Sequence, residues 1–290
     1  HHFLKNVNGT PLRRPAWYYD VTRQGEGLVD VTTHIVDGLQ RTICPGRALS
    51  AADVKVTGAR TWDTFLTADE YRESTGLGSW PDFLKPCVGA DNRLACRANG
   101  EFTFSLDGVH ARVGVIWNVR DTVGDGDVSA ASFKGTKCMV RMMPDAGHGV
   151  DMAVYVQLYE LRDRPKLAPS VDRAVARLQE MIPGVRAVAT PVGWRFDVPP
   201  DCVVSHDPSF AAFTKNFLRW VGNRNQPAEE YANLLVRYRT LADAWTMSKV
   251  RPPKRPAAVR TIHGTSTVPT PVKRMRFCGS PESTQVARPI

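Results

Sequence analysis

Nowhere in these 290 residues does an apolar run reach the roughly 18 residues that a membrane-spanning helix needs, so no crossing segment is expected. The six cysteines, Cys44, Cys87, Cys96, Cys138, Cys202 and Cys278, include no Cys-x-x-Cys pair and no histidine partner at zinc spacing. That argues against a structural metal site and leaves them as buried or surface thiols. No Gly-x-Gly-x-x-Gly follows a predicted strand. Gly25-x-Gly27 and Gly124-x-Gly126 lack the third glycine and the strand-turn-helix setting that cradles a pyrophosphate. A signal peptide is absent too, and the sequence opens at His1-His2-Phe3 without Met, so its natural N-terminus is expected upstream. The compartment stays open, with the cytoplasm favoured.

Acid is the scarcer charge, with 29 Asp and Glu against 38 Lys and Arg and a net charge of +9. A basic protein invites a nucleic-acid reading, but the excess is local. Residues 251–290 hold eight of the basic residues against one acid, Glu282, so seven of the nine charges belong to that tail. With seven prolines in forty residues and no apolar period, the tail is expected to be disordered. Neither nucleic acid nor membrane is therefore an expected partner, and residues 1–250 form the folded domain.

In that domain a Gly-punctuated turn, Gln24-Gly25-Glu26-Gly27, leads into a stretch where Leu28, Val31, Ile35 and Leu39 fall near helical spacing, until Pro45-Gly46 stops it. Asp63 to Arg97 reads as a long irregular excursion. From Phe102 the period changes to two. Phe102, Phe104 and Leu106 alternate with polar residues, Asp107-Gly108 intervenes, and Val109, Ala111, Val113, Val115 and Trp117 alternate again, which is a β-hairpin with a tight turn. Strands are expected on either side of Gly135-Thr136-Lys137, through Met152 to Leu158, at Val185–Thr190 and at Trp194–Val198. A helix with Val171, Val175, Leu178 and Ile182 inward lies between them. Two more helices close the domain. The first, capped by Asp207, is expected to bury Phe210, Phe213, Phe217 and Trp220, and the second Tyr231, Leu234, Tyr238, Leu241 and Trp245. The fold class is α+β: a mostly antiparallel open sheet with helices packed on one face.

The sharpest chemical feature is Asp30-Val31-Thr32-Thr33-His34-Ile35-Val36-Asp37. On a helix Asp30, His34 and Asp37 share one face. A carboxylate one turn from an imidazole can orient it, fix its tautomer and favour its protonated form, which suits acid–base work on an alcohol near neutral pH. The same spacing also describes a surface ion pair worth a few tenths of a kcal/mol. Arg13, Arg14, Trp17, Tyr18 and Asp20 precede the motif closely enough to line the same cleft, with arginine to grip hydroxyls and aromatics to stack on a sugar face. His206, at the start of a helix, is a further candidate for reaching substrate, and capping or surface exposure is its competing reading.

The run Gly25 to Asp37 resembles the Gly-rich, Asp-x-x-x-His-x-x-Asp signature of the glucose-fructose oxidoreductase / inositol dehydrogenase / MocA family. RRPAWYYD before it, GVHARVGVIWN and FKGTK in the sheet, and SHDPSFAAFTKNFLRW near the end extend the likeness to a subgroup of oxidoreductase C-terminal domains over residues 1–250. The resemblance implies NAD or NADP bound mainly by a separate Rossmann domain, which also supplies a lysine from a Lys-Pro segment. It makes His34 the proton shuttle and Asp30 its partner, with Thr33, Asp37 and His206 joining Arg13, Arg14, Trp17, Tyr18 and Asp20 around a sugar, inositol or related polyol. Neither the glycine fingerprint nor the lysine segment has a counterpart here, so the chain alone is expected to be inactive. The family also implies a homo-oligomer formed through the sheet face. A nicotinamide-dependent glycosidase and a non-catalytic binding or dimerisation module are the alternatives.

Overall fold

The computed structural model describes residues 1–7, 9–120, 127–145, 150–203, 206–250 and 284–287, without the side chains of residues 150, 151, 206, 207 and 284–287. Gly124-x-Gly126 thus lies outside the described residues. The chain runs β1 (His2–Leu4), β2 (Asn6–Val7), β3 (Thr10–Pro11), a single 3-10 turn at Ala16–Tyr19, α1 (Val21–Gln24), α2 (Thr32–Ile43), β4 (Val54–Leu66), α3 (Ala68–Thr75), β5 (Leu94–Leu106), β6 (Val109–Val115) and β7 (Asn118–Arg120). There follow β8 (Ala131–Lys134), β9 (Cys138–Asp145), β10 (Val150–Leu158), α4 (Arg164–Gln179), β11 (Arg186–Thr190), β12 (Gly193–Asp197), α5 (His206–Asn223), α6 (Ala228–Lys249) and β13 (Thr284–Ala287).

Nine strands make the main sheet in the order β11-β12-β10-β9-β8-β13-β6-β5-β4, antiparallel except for the β13–β8 pair. With helices packed against it, the fold is the α+β arrangement expected. Asp107 and Gly108 both take positive φ, 50° and 77°, as a tight turn between β5 and β6 requires. Within the tail, Thr284–Ala287 form the strand between β6 and β8, and its other residues lie outside the described ones. No helix among the described residues is long and apolar enough to cross a membrane.

The thirteen residues of β5 cross two apolar cores. Its second half contributes Phe102, Phe104 and Leu106 to a core with Leu28, Val36, Leu39, Val236, Leu241 and Ala244, under α2 and α6. Its first half contributes Leu94, Cys96 and Ala98 to a core with Phe3, Tyr19, Leu66, Tyr71, Leu84 and Trp117. At the other end of the sheet α4 covers Leu158, Trp194 and Phe196. The opposite side of β4–β6 is polar, with Glu101 accepting hydrogen bonds from Arg60 at 2.6 Å and Arg112 at 2.5 Å.

Several elements differ from the sequence reading. Residues 54–66 form a long strand, hidden in the sequence because bulges at Val56/Gly58 and Trp62/Thr64 break its alternation. The excursion from Asp63 to Arg97 therefore begins as strand and contains α3, closed at both ends by a Thr67/Glu70 capping box and by Gly76 in the left-handed region. α2 begins at Thr32, since residues 27–31 form a turn. α4 begins at Arg164, upstream of Ser170, and of its expected stripe only Val171 is buried.

The last two helices are turned from the expected orientation. α6 buries Val236, Thr240, Leu241 and Ala244 and exposes Tyr231, Tyr238 and Trp245. Small side chains let it lie close over β4 and α2, and aromatic size, which marked the other face as core, loses to close approach. Phe210, Phe213 and Phe217 of α5 are all more than half exposed. Replacing Phe102, 1% exposed, by Ala is expected to cost about 3–5 kcal/mol. Phe213→Ser should stay within about 0.5 kcal/mol in the same denaturant titration, because no core contact is lost.

Candidate functional site

A cleft opens at the seam between the two cores. It is lined by Phe3, Tyr18, Val21, Gln24, Gly25, Gly27, Asp30, Cys96, Ala98 and Trp117, and its empty space is about 260 Å³, open to solvent on one side. Its lining is mainly apolar with a few polar groups, the composition of a surface that takes an organic ligand.

The segment that carries Asp30 is pinned by two glycines. A Cβ on Gly27 would lie 1.6 Å from the Ala98 carbonyl oxygen, and Gly27 N–H donates to Arg97 O at 3.3 Å. A Cβ on Gly100 would lie 2.5 Å from Leu28 Cβ. The loop therefore lies directly on β5, and only glycine at both positions permits it. Val29 and Asp30 N–H groups both bond Glu26 O, at 2.9 and 3.2 Å. The Thr32 hydroxyl donates to Leu28 O, the Thr33 hydroxyl to Val29 O at 3.1 Å, and Lys249 at the end of α6 donates to the Glu26 carboxylate. Together these fix the turn that precedes α2.

Asp30 stands in that turn, on the wall of the cleft. Burial pushes its carboxyl above the ordinary value, while a hydrogen bond with Gln24 and the charges of His1 and His34 pull it back. His34 lies on the first turn of α2, within electrostatic reach of Asp30, and its side chain is exposed. The imidazole is not among the residues that line the cleft. Asp37 does not join the pair. Its carboxylate bonds Arg237 of α6 at 2.7 Å and Arg41 at 3.0 Å, which docks α2 on α6.

The residues before the motif separate in the same way. Tyr18 forms one aromatic wall, and its hydroxyl is pushed up to about 12, mainly by burial, with the Arg14 guanidinium pulling down and Asp30 pushing up. It stays neutral at any physiological pH and can donate or accept. Arg14 is buried and donates to Phe3 O at 2.8 Å and His2 O at 2.9 Å, with its guanidinium 4.3 Å from the Tyr18 ring centre and 5.4 Å from that of Trp117. It holds both aromatic walls and the first strand, and its donors are aimed at the backbone. Arg13 is exposed and donates to Glu73 O, away from the cleft. Asp20 caps α1 through Thr22 N at 3.0 Å. Trp17 is 45% exposed, its ring 6.4 Å from that of Tyr18. Thr33 bridges turn and helix as described, and the side chain of His206 lies outside the described residues.

Gln24, Gly27, Phe3, Trp117 and Cys96 complete the cleft and were not expected there. Burial raises the Cys96 thiol to about 12, so it is an inert apolar wall and no nucleophile. Gly100 was the available signal, since an isolated glycine within a strand pattern marks a close backbone approach. Among the described residues no three His, Cys, Asp or Glu gather to hold a metal ion.

A raised carboxyl works against the fold wherever it is ionised. Its charged form is favoured more in the unfolded chain, so the penalty is full above the folded value and gone below the ordinary one near 3.9. Asp30→Asn should therefore raise the melting temperature at pH 7, with the gain shrinking as pH falls toward 4 in melts followed by circular dichroism.

The family model described as "Putative oxidoreductase C terminal domain" matches residues 1–249. A crystal structure of a putative oxidoreductase from Parabacteroides merdae ATCC 43184 superposes with a TM-score of 0.79 at 32% sequence identity. The match covers 86% of this chain and 57% of that one, so the chain spans little more than half the length of its solved relative. No curated protein matches it.

Proposed function

This chain belongs to the family of oxidoreductase C-terminal domains, and on that premise we propose that it is the substrate-binding and proton-handling half of an NAD- or NADP-dependent oxidoreductase acting on a sugar, inositol or related polyol. The observation that carries the reading is a partly buried carboxyl, Asp30, on the wall of an aromatic-lined cleft with an imidazole one turn away.

Each part has a chemical counterpart in a polyol. The faces of Tyr18 and Trp117 suit the C–H side of a ring or chain, as aromatic walls do in carbohydrate sites. Asp30 and the Gln24 amide suit vicinal hydroxyls, one accepting and the other able to donate or accept. In this reading an ionised Asp30 orients a hydroxyl by accepting its hydrogen bond, and the exposed His34, one turn further on, exchanges that hydroxyl's proton with solvent.

In this reading the dinucleotide is bound mainly by a separate Rossmann domain. Gly25 and Gly27 border the cleft, and Gly27 is pressed on the Ala98 carbonyl. Among the described residues the sheet is antiparallel apart from the β13–β8 pair and offers no strand-turn-helix cradle.

The test is reconstitution of the chain with its natural upstream segment, followed by NAD and NADP reduction assays over a panel of polyols and sugars. His34→Ala should lower kcat by about 10²–10⁴-fold, the range typical of acid–base groups. Unchanged turnover in that variant would remove the imidazole from the reaction.

A further inference from the structure

One ionisable cluster beside the cleft is used by none of the arguments above. The His1 ring is stacked on Trp117, with centroids 4.9 Å apart and 25° between the planes, and Trp117 is a wall of the cleft. Its Nδ1 lies 2.8 Å from Asp127 Oδ2. Asp127 also accepts the His2 backbone N–H at 3.2 Å and the Lys5 ammonium at 2.7 Å. Burial works against the charge on Asp127, yet the hydrogen bonds from His1 and Lys5 and their charges hold its carboxyl far below the usual range. The acid is therefore ionised at any physiological pH.

An ionised carboxylate on Nδ1 fixes the proton there and leaves Nε2 as the ring's second hydrogen-bonding nitrogen. The stack on Trp117 sets the plane of the ring. Only 21% of the His1 side chain is exposed, whereas His34 is open to solvent, so His1 is the more firmly held of the two imidazoles that act on Asp30. A carboxylate anchor, an aromatic support and proximity to the cleft acid are more than strand pairing requires, because β1 pairs with β7 through backbone groups.

We propose that His1, held through Nδ1 by Asp127 and supported by Trp117, is a second ligand-binding imidazole of the cleft, whose Nε2 hydrogen-bonds a hydroxyl of the same polyol that Asp30 binds. This rests on the polyol reading of the site and extends it. The cleft then grips its ligand with an acid and an imidazole contributed by segments 29 residues apart in the chain, one on β1's approach and one on the turn before α2.

The experiment uses the 290-residue chain with selectively ¹⁵N-labelled histidine and ¹³C-labelled aspartate, titrated with myo-inositol and with D-glucose. Without a probe, His1 should carry its proton on Nδ1, and Asp127→Asn should abolish that preference. With a probe, the Asp30 carboxyl and His1 Nε2 should shift together. His1→Phe keeps a ring on Trp117 but removes both nitrogens, and it should weaken the probe about tenfold at an unchanged melting temperature. A shift at Asp30 with His1 Nε2 unmoved, or full affinity in His1→Phe, overturns this inference and leaves the polyol reading standing. If neither probe moves Asp30, the polyol reading fails and this extension falls with it. Should His1→Phe melt lower, His1→Gln, which retains a hydrogen-bonding amide, decides: restored affinity supports a ligand role and continued loss opposes it.

Discussion

Everything that positions the cleft depends on one close approach, the backbone of Gly27 against the carbonyl of Ala98, with Leu28 entering over Gly100. One glycine in the loop against Ala98, and one in the strand under Leu28, remove the side-chain layer that separates chain segments elsewhere. Leu28 then reaches one apolar core while the loop just ahead of it borders the other. The price is confined to this seam: glycine loses more conformational freedom on folding than any other residue. In return the turn carrying Asp30 has no lateral freedom, and the hydroxyls of Thr32 and Thr33 carry its position into α2.

Around that seam most charges are committed to the scaffold. Arg14 serves the carbonyls of β1 and two aromatic rings, Asp37 ties α2 to α6, Asp20 caps a helix, and Lys249 reaches back from the end of α6 to Glu26. Asp30 is treated differently. It sits half-buried with its carboxyl pushed toward the neutral form by the surroundings that make the cleft. A carboxyl raised by burial on the wall of a cleft is what marks Asp30 as the candidate binding group.

The hairpin at Asp107-Gly108 was legible because a two-residue turn between alternating runs has few other solutions. The strands on either side of Gly135-Thr136-Lys137 and the pair at 186–197 were legible for the same reason. β4 was not, because its bulges interrupt the period, and neither was the orientation of α5 and α6, whose largest side chains point away from the core. At the site the Asp30–His34 spacing was readable, but their setting was not. Asp30 precedes the helix proper, and Asp37, three residues beyond His34, faces α6. That Arg14 would serve backbone carbonyls rather than the cleft depends on the return of β1 beside β7, a contact between segments more than a hundred residues apart that no local pattern encodes.

The most direct test of this account is the melting temperature and Asp30 carboxyl resonance of Gly27→Ala. A methyl group there cannot coexist with the Ala98 carbonyl, so the loop must lift from β5. A loss of about 3 kcal/mol or more is expected, a fall of roughly 6–12 °C for a domain of this size, together with a downward shift of the Asp30 titration as its burial is relieved. Wild-type melting and an unmoved Asp30 titration would contradict the claim that this contact sets the site.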